Sequence, residues 1–278
     1  MTFECFTVET RDHIAHIRFN RPQKANSMIP AFWRELPQAV NAISDDGAAR
    51  VIVISAEGKH FSAGMDLSVF MGGAFDPDRD NMQLAAEAFL HKVRALQETF
   101  SCLERARQPV LAAIQGGAIG AGVDLATACD CRYASADAFF CVQETALGMT
   151  ADVGTFPRLV KIIPEGMARQ MAFTAERVSA ARAREIGLVN EVYPDAESLL
   201  AGVMDIARQI AAHSPLAVAG SKAVINHARD HSTADGLSFV GLWNAAMLRP
   251  EDIREAHMAR LEKRAPEFAP LRRASGAV

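Results

Sequence analysis

Three acidic side chains stand in apolar company. In CVQETALGMTADVGTFPRL (141–159), Glu144 and Asp152 lie among Val, Ala, Leu, Met and Phe, and a third acid, Asp124, stands in the equally apolar GGAIGAGVDLATACD. An unpaired carboxylate is costly to bury, so such groups are paired, neutralised or put to chemical use. Paired carboxyl groups suit general acid–base work. Apolar surroundings favour the raised pKa that such work near neutrality needs, against ~3.9 for a free Asp.

Two glycine turns supply a second ingredient. HFSAGMDL places Gly64 and Met65 just after an apolar β-branched run, and GGAIGAGVDL places Gly120, Ala121 and Gly122 after another, at the start of a helix. Small residues let backbone N–H groups approach a ligand closely, and a helix N-terminus adds aligned donors. Two N–H groups aimed at one point form an oxyanion hole. Tight packing alone also explains such turns. GGAIGAG lacks the G-x-G-x-x-G spacing, so a nicotinamide cofactor has no support. The acids have bland readings too: Asp124 as a first-turn helix acid, Asp152 as a turn or N-cap residue, Glu144 as an ion-pair partner of Arg132 or Arg158.

The elements that must hold these groups read as α/β. Residues 5–19 alternate as an early strand or hairpin, NRPQKANSM is a turn, and a helix spans about 30–44. VIVISA (51–56) and PVLAAIQG (109–116) are short buried strands, each running into one of the glycine turns, and DCRYASADAFFCV supplies two more. Strand-turn-helix units with buried strands predict an α/β core over 1–195. From 196 to 278 the pattern turns helical, over 196–229, 233–247 and 251–264, a layer suited to self-association. GGAFDPDRD (72–80) reads as a mobile loop.

Composition narrows the function classes. The 278 residues are 50% hydrophobic and 22% charged, with a net charge of −4, which speaks against a general nucleic-acid surface. The five cysteines follow no disulfide or zinc spacing, and with no secretory leader they imply a reducing, cytoplasmic setting. The eight histidines show no metal spacing. The apolar run 110–129 has the length of a membrane span, but Gln115, Asp124 and four glycines mark a buried strand-turn-helix instead.

HFSAGMDL, QGGAIGAGVDLATACDCRYAS and FFCVQETALGMTADVGTFPRL, in this order, resemble the enoyl-CoA hydratase/isomerase (crotonase) superfamily, from NRPQKANSM to EDIREAHMARLEKR. The resemblance implies a crotonase-like spiral of ββα units, a helical C-terminal region that builds trimers, often paired into hexamers, and an acyl-CoA thioester ligand with no separate cofactor. It assigns the oxyanion hole to the N–H groups of Met65 and Ala121, the latter standing where relatives often have Gly. It nominates Lys24, Ala25, Ser62, Ala63, Gly64, Asp66 and Gly120 for substrate binding, with Lys263 supplied by the C-terminal helix of the same or a neighbouring subunit. A Phe common three residues before that lysine is Arg260 here. Met28, Met65, Met71 and Met82 suit an acyl channel or plain packing.

Within the superfamily, Asp124, Glu144 and Asp152 together are most similar to the Δ3,5-Δ2,4-dienoyl-CoA isomerases. Glu144 would take the C2 proton, Asp152 would deliver one to C6, and Asp124, its ionised form favoured near a helix N-terminus, would tune the pair. The runner-up is a 2-enoyl-CoA hydratase in which Asp124 and Glu144 hold a water. A non-catalytic or RNA-associated member is the third reading.

Overall fold

The computed structural model describes residues 2–66, 69 and 81–274. The chain opens with a hairpin of β1 (Phe6–Arg11) and β2 (Ile14–Phe19), turned at Asp12 and His13, which both take positive φ as a tight two-residue turn requires. Helix α1 (Pro30–Asp46) starts with proline in its first turn, where no N–H is needed, and stops at Gly47 with φ of 74°. Strand β3 (Val51–Ala56), helix α2 (Met82–Arg105), β4 (Val110–Ile114), β5 (Gly117–Ile119), α3 (Ala121–Ala128), β6 (Cys131–Ser135) and β7 (Phe139–Cys141) follow. A 3-10 turn (Glu144–Leu147) then leads through α4 (Thr155–Leu159), α5 (Glu165–Thr174), β8 (Val178–Ser179), α6 (Ala180–Glu185) and β9 (Glu191–Tyr193). Four helices close the chain: α7 (Ala196–Ala211), α8 (Pro215–Asp230), α9 (Thr233–Met247) and α10 (Pro250–Glu262).

The strands form a six-stranded sheet ordered β1-β2-β3-β4-β6-β9, parallel beyond the opening hairpin, and a three-stranded sheet ordered β5-β7-β8. The chain passes repeatedly from the first sheet to the second and then into a helix. β4 leads into β5 and α3, and β6 leads into β7 and on to α4; after β3, Ser62 bridges Ala118 of β5. This is the expected spiral of ββα units.

Period-two alternation divides the large sheet's two faces. Ile52, Ile54, Ala112 and Ile114 join the main core with α1 and α2, while Val51, Val53, Leu111 and Ala113 pack on Leu199, Val203, Ala207 and Ala211 of α7. A fully buried Val, Leu or Ile contributes about 1.5–3 kcal/mol, so α7 is bound firmly to the sheet. α7 thus covers the second face of the large sheet. The single helix expected over 196–229 is two, because Pro215 begins a new helix and the Ser214 hydroxyl accepts from Ala217 N–H.

Helix α2 was not legible in the sequence pattern. Its first half is mostly exposed, and its buried residues (Val93, Thr99, Phe100, Cys102, Leu103) cluster in the second half. The predicted loop at 72–80 and Met71 lie outside the described residues. Among the described residues no helix is long and apolar enough to cross a membrane.

Candidate active site

The two glycine turns meet. Met28 N–H donates to Gly64 O at 2.8 Å and Asp66 N–H donates to Met28 O at 3.1 Å, a parallel bridge that leaves Met65's own N–H pointing to the opposite side. Ala121 is the first residue of α3, so its N–H has no acceptor within the helix. Among the described residues neither N–H has a backbone acceptor outside a helix or strand. A Cβ built on Gly64 would stand 2.6 Å from Ile119 O and 3.1 Å from Ala121 N, which measures how closely the two arms approach. The φ of 82° at Gly64 and 52° at Gly120 is a further reason for glycine at both.

Ser62 braces the first arm. It is completely buried, its hydroxyl donates to Asn26 O at 2.9 Å, and it accepts from Gly64 N–H at 3.1 Å. Ser62 and Ala25, both expected at the substrate, do not line the cavity described next. Asp66 accepts from the Ser27 hydroxyl at 2.7 Å.

In front of the two donors lies a cavity of about 810 Å³, lined by Lys24, Ala63, Gly64, Met65, Asp66, Gly120, Ala121, Glu144 and Asp152 among others. Its apolar wall comes from Phe89, Leu96, Leu147, Met149 and Val153, none singled out in the sequence. Phe89 and Leu96 belong to α2. Met28 is fully buried and does not line the cavity, nor does Met82, so of the methionines proposed for an acyl channel only Met65 does so among the described residues. Lys263 caps the C-terminus of α10, exposed and apart from this cavity in its own chain.

The acids divide into two kinds. Glu144 projects from the 3-10 turn towards Gly120, whose built Cβ would stand 3.1 Å from Oε1, while Oε2 is buried without a hydrogen-bond partner. Neither arginine proposed as its partner pairs with it. Arg158 binds Glu104 at 2.7 Å, and Arg132 donates to Leu188 O and Cys129 O. Burial raises the Glu144 pKa, and the nearby Asp152 charge raises it further. Asp152 keeps contact with solvent, but partial burial of its carboxyl raises its pKa as well. It caps no helix: Gly154 occupies the N-cap of α4, and Gln97 of α2 donates to Asp152 O at 2.7 Å.

Asp124 stands behind the wall, fully buried and outside the cavity lining. Its Oδ1 accepts the Thr155 N–H at 2.5 Å, tying α3 to the start of α4 and so to the turn that carries Asp152. Its Oδ2 has no partner. Burial opposes the ionised form that the helix N-terminus was expected to favour. Burial pushes the pKa up to about 7 against the Thr155 hydrogen bonds, and the Glu144 charge adds to the rise. Among the described residues no group of three His, Cys, Asp or Glu side chains is arranged to hold a metal ion.

Residues 9–270 match the family model for enoyl-CoA hydratase/isomerase. The chain belongs to this family. Among its curated family members, the human mitochondrial Δ(3,5)-Δ(2,4)-dienoyl-CoA isomerase is 41% identical over 253 residues, covering 91% of this chain and 77% of that protein. The peroxisomal Δ(3,5)-Δ(2,4)-dienoyl-CoA isomerase of Arabidopsis thaliana is 39% identical, covering 97% and 98%. Among solved family structures, an enoyl-CoA hydratase from Bacillus anthracis superimposes with a TM-score of 0.85 at 30% identity, covering 98% of this chain and all of that one. The fold is thus the crotonase-like fold read from the motifs.

Proposed function

We propose that this enzyme isomerises 3,5-dienoyl-CoA to 2,4-dienoyl-CoA. The observation that carries the reading is that Glu144 and Asp152 line one cavity beside two backbone N–H groups that have no backbone acceptor among the described residues. Glu144, ionised, takes a proton from C2 of the thioester. The electron pair moves towards the thioester oxygen, where the Met65 and Ala121 N–H groups meet the developing charge, and such a donor is worth about 10²–10³ in rate. Asp152, protonated, returns a proton at C6 as the dienolate reforms the carbonyl. Proton transfer and backbone hydrogen bonding complete the reaction, so the only cofactor-like group is the coenzyme A of the substrate.

A hydratase would use Asp124 and Glu144 as a pair holding water. The exclusion of Asp124 from the cavity lining weighs against it, as does the similarity to dienoyl-CoA isomerases. Nothing in the site favours a non-catalytic or RNA-associated role, and the net charge of −4 opposes the latter. The test is a parallel assay on 3,5-dienoyl-CoA and 2-enoyl-CoA, with Asp152→Asn beside the unmodified protein. Conjugated 2,4-dienoyl product with a loss of about 10²-fold or more in the variant is expected. Rapid hydration unaffected by Asp152→Asn would overturn the assignment.

The active assembly is a homotrimer or a hexamer of two paired trimers. Supporting this, Leu237 and Leu242 of α9, Leu248, and Ile253 and Leu261 of α10 are all more than half exposed in the single chain. In such an assembly Lys263 reaches the coenzyme A phosphates from a neighbouring subunit. All five cysteines are free, in keeping with a reducing compartment. The cytoplasm is one such compartment, whereas the human and Arabidopsis relatives are by name mitochondrial and peroxisomal.

A further inference from the structure

The isomerisation leaves the protein in the wrong protonation state. Each turnover breaks a C2–H bond in favour of Glu144 and forms a C6–H bond at the expense of Asp152. It therefore ends with Glu144 protonated and Asp152 ionised, the reverse of the starting pair. Glu144 must lose a proton and Asp152 must gain one before the next substrate can react. Two routes balance these protons: direct return from Glu144 to Asp152, or release to water from one and uptake from water by the other.

The ground around Asp152 differs from that around Glu144. Asp152 and Val153 line the acyl cavity, and they also line a second, separate cleft of about 340 Å³. That cleft is polar where the first is apolar: Gln97, Ser101, Glu104, Arg158, Lys161 and Asp230 contribute to its wall. Lys161 and Asp230 pair across it, and both side chains are about two-fifths exposed, so the cleft opens to solvent. Glu144 does not line it, and its Oε2 is sealed from water. The Gln97 side chain, in the cleft wall, donates to the Asp152 carbonyl and holds this residue at the partition between the two spaces.

We propose that the polar cleft is the proton-entry site of the enzyme, reloading Asp152 from bulk water once per turnover while the acyl chain of the substrate fills the other cavity. The proton leaves a water or buffer acid in the cleft and binds Asp152; Glu144 gives its own proton to water once product has left. One is taken up and one released, so the cycle closes without any other reactant.

This inference rests on the isomerase reading, and an isotope experiment separates the two. The unmodified protein is given a 3,5-dienoyl-CoA deuterated at C2, in ordinary water, and the product is analysed by mass spectrometry and NMR. Protium alone at C6 is expected. Deuterium carried to C6 would show direct return from Glu144 and overturn the proposal while leaving the isomerase reading intact, and absence of any 2,4-dienoyl product would overturn both. A second experiment narrows the cleft with Ser101→Leu, a position that does not line the acyl cavity. The first turnover, read by stopped flow, should keep its rate, while the steady-state rate falls about tenfold and recovers with a small buffer acid such as imidazole. Equal loss in both phases, or no loss in either, would overturn the proposal.

Discussion

Replacing Gly64 by alanine tests the oxyanion hole without touching a single acid. The new Cβ would stand 2.6 Å from Ile119 O and 3.1 Å from Ala121 N, both backbone atoms of the facing arm. Neither is the end of a flexible side chain, so the arms must part. Recovering ordinary contact requires a separation of about 0.8 Å, the scale at which displaced catalytic groups cost about 10²-fold. The φ of 82° adds strain of about 1–2 kcal/mol for a residue with a Cβ, which lowers stability but does not by itself slow chemistry. Losing one well-aimed donor costs about 10²–10³ in kcat. The assay is the appearance of the conjugated 2,4-dienoyl chromophore, with thermal melting and circular dichroism showing that Gly64→Ala is folded. A kcat within about threefold of the unmodified protein in a folded variant would refute the two-arm hole, because a hole that tolerates this displacement is not supplying the rate.

Other outcomes follow from the acids and the exposed helices. Since Glu144 must start ionised and Asp152 protonated, and burial raises both pKa values, the bell of kcat/KM against pH should lie above the usual carboxyl range; Asp152→Asn should remove the alkaline limb, and an unchanged limb would reassign it. Asp124 holds its proton more tightly folded than unfolded, so its contribution to stability is fully present below the unfolded value of 3.8 and is lost as pH rises to about 7, by up to about 4 kcal/mol. Urea unfolding from pH 4 to 8 should therefore show the Asp124→Asn variant gaining on the unmodified protein as pH rises, and a pH-independent difference would count against the raised pKa. Leu242→Asp puts a charge on the exposed face of α9, and sedimentation should show it dissociating an assembly that the unmodified chain forms; unchanged sedimentation would place the interface elsewhere.

Much of the candidate site is written in short stretches of chain. Whether a turn can present a bare N–H depends on the backbone conformation of a few consecutive residues, and Gly64 and Gly120 advertise theirs because a positive φ there favours glycine. Buried parallel strands announce themselves in the same local way, as VIVISA and PVLAAI, because both of their faces are covered. Asp124, Glu144 and Asp152 stood out for a related reason: charge in an apolar run needs an explanation wherever the run lies.

What lay beyond the sequence depends on partners distant along the chain. That Arg158 pairs with Glu104 and not with Glu144 is decided by how α2 and α4 pack. The same packing brings Phe89, Leu96 and Gln97 to the site from a helix whose exposed first half shows no clear core pattern. Asp124 looks equivalent to the other two acids in sequence. Only the seating of α3 against Thr155 puts it behind the cavity wall, because burial and hydrogen-bond access are properties of the assembled core and not of the residue.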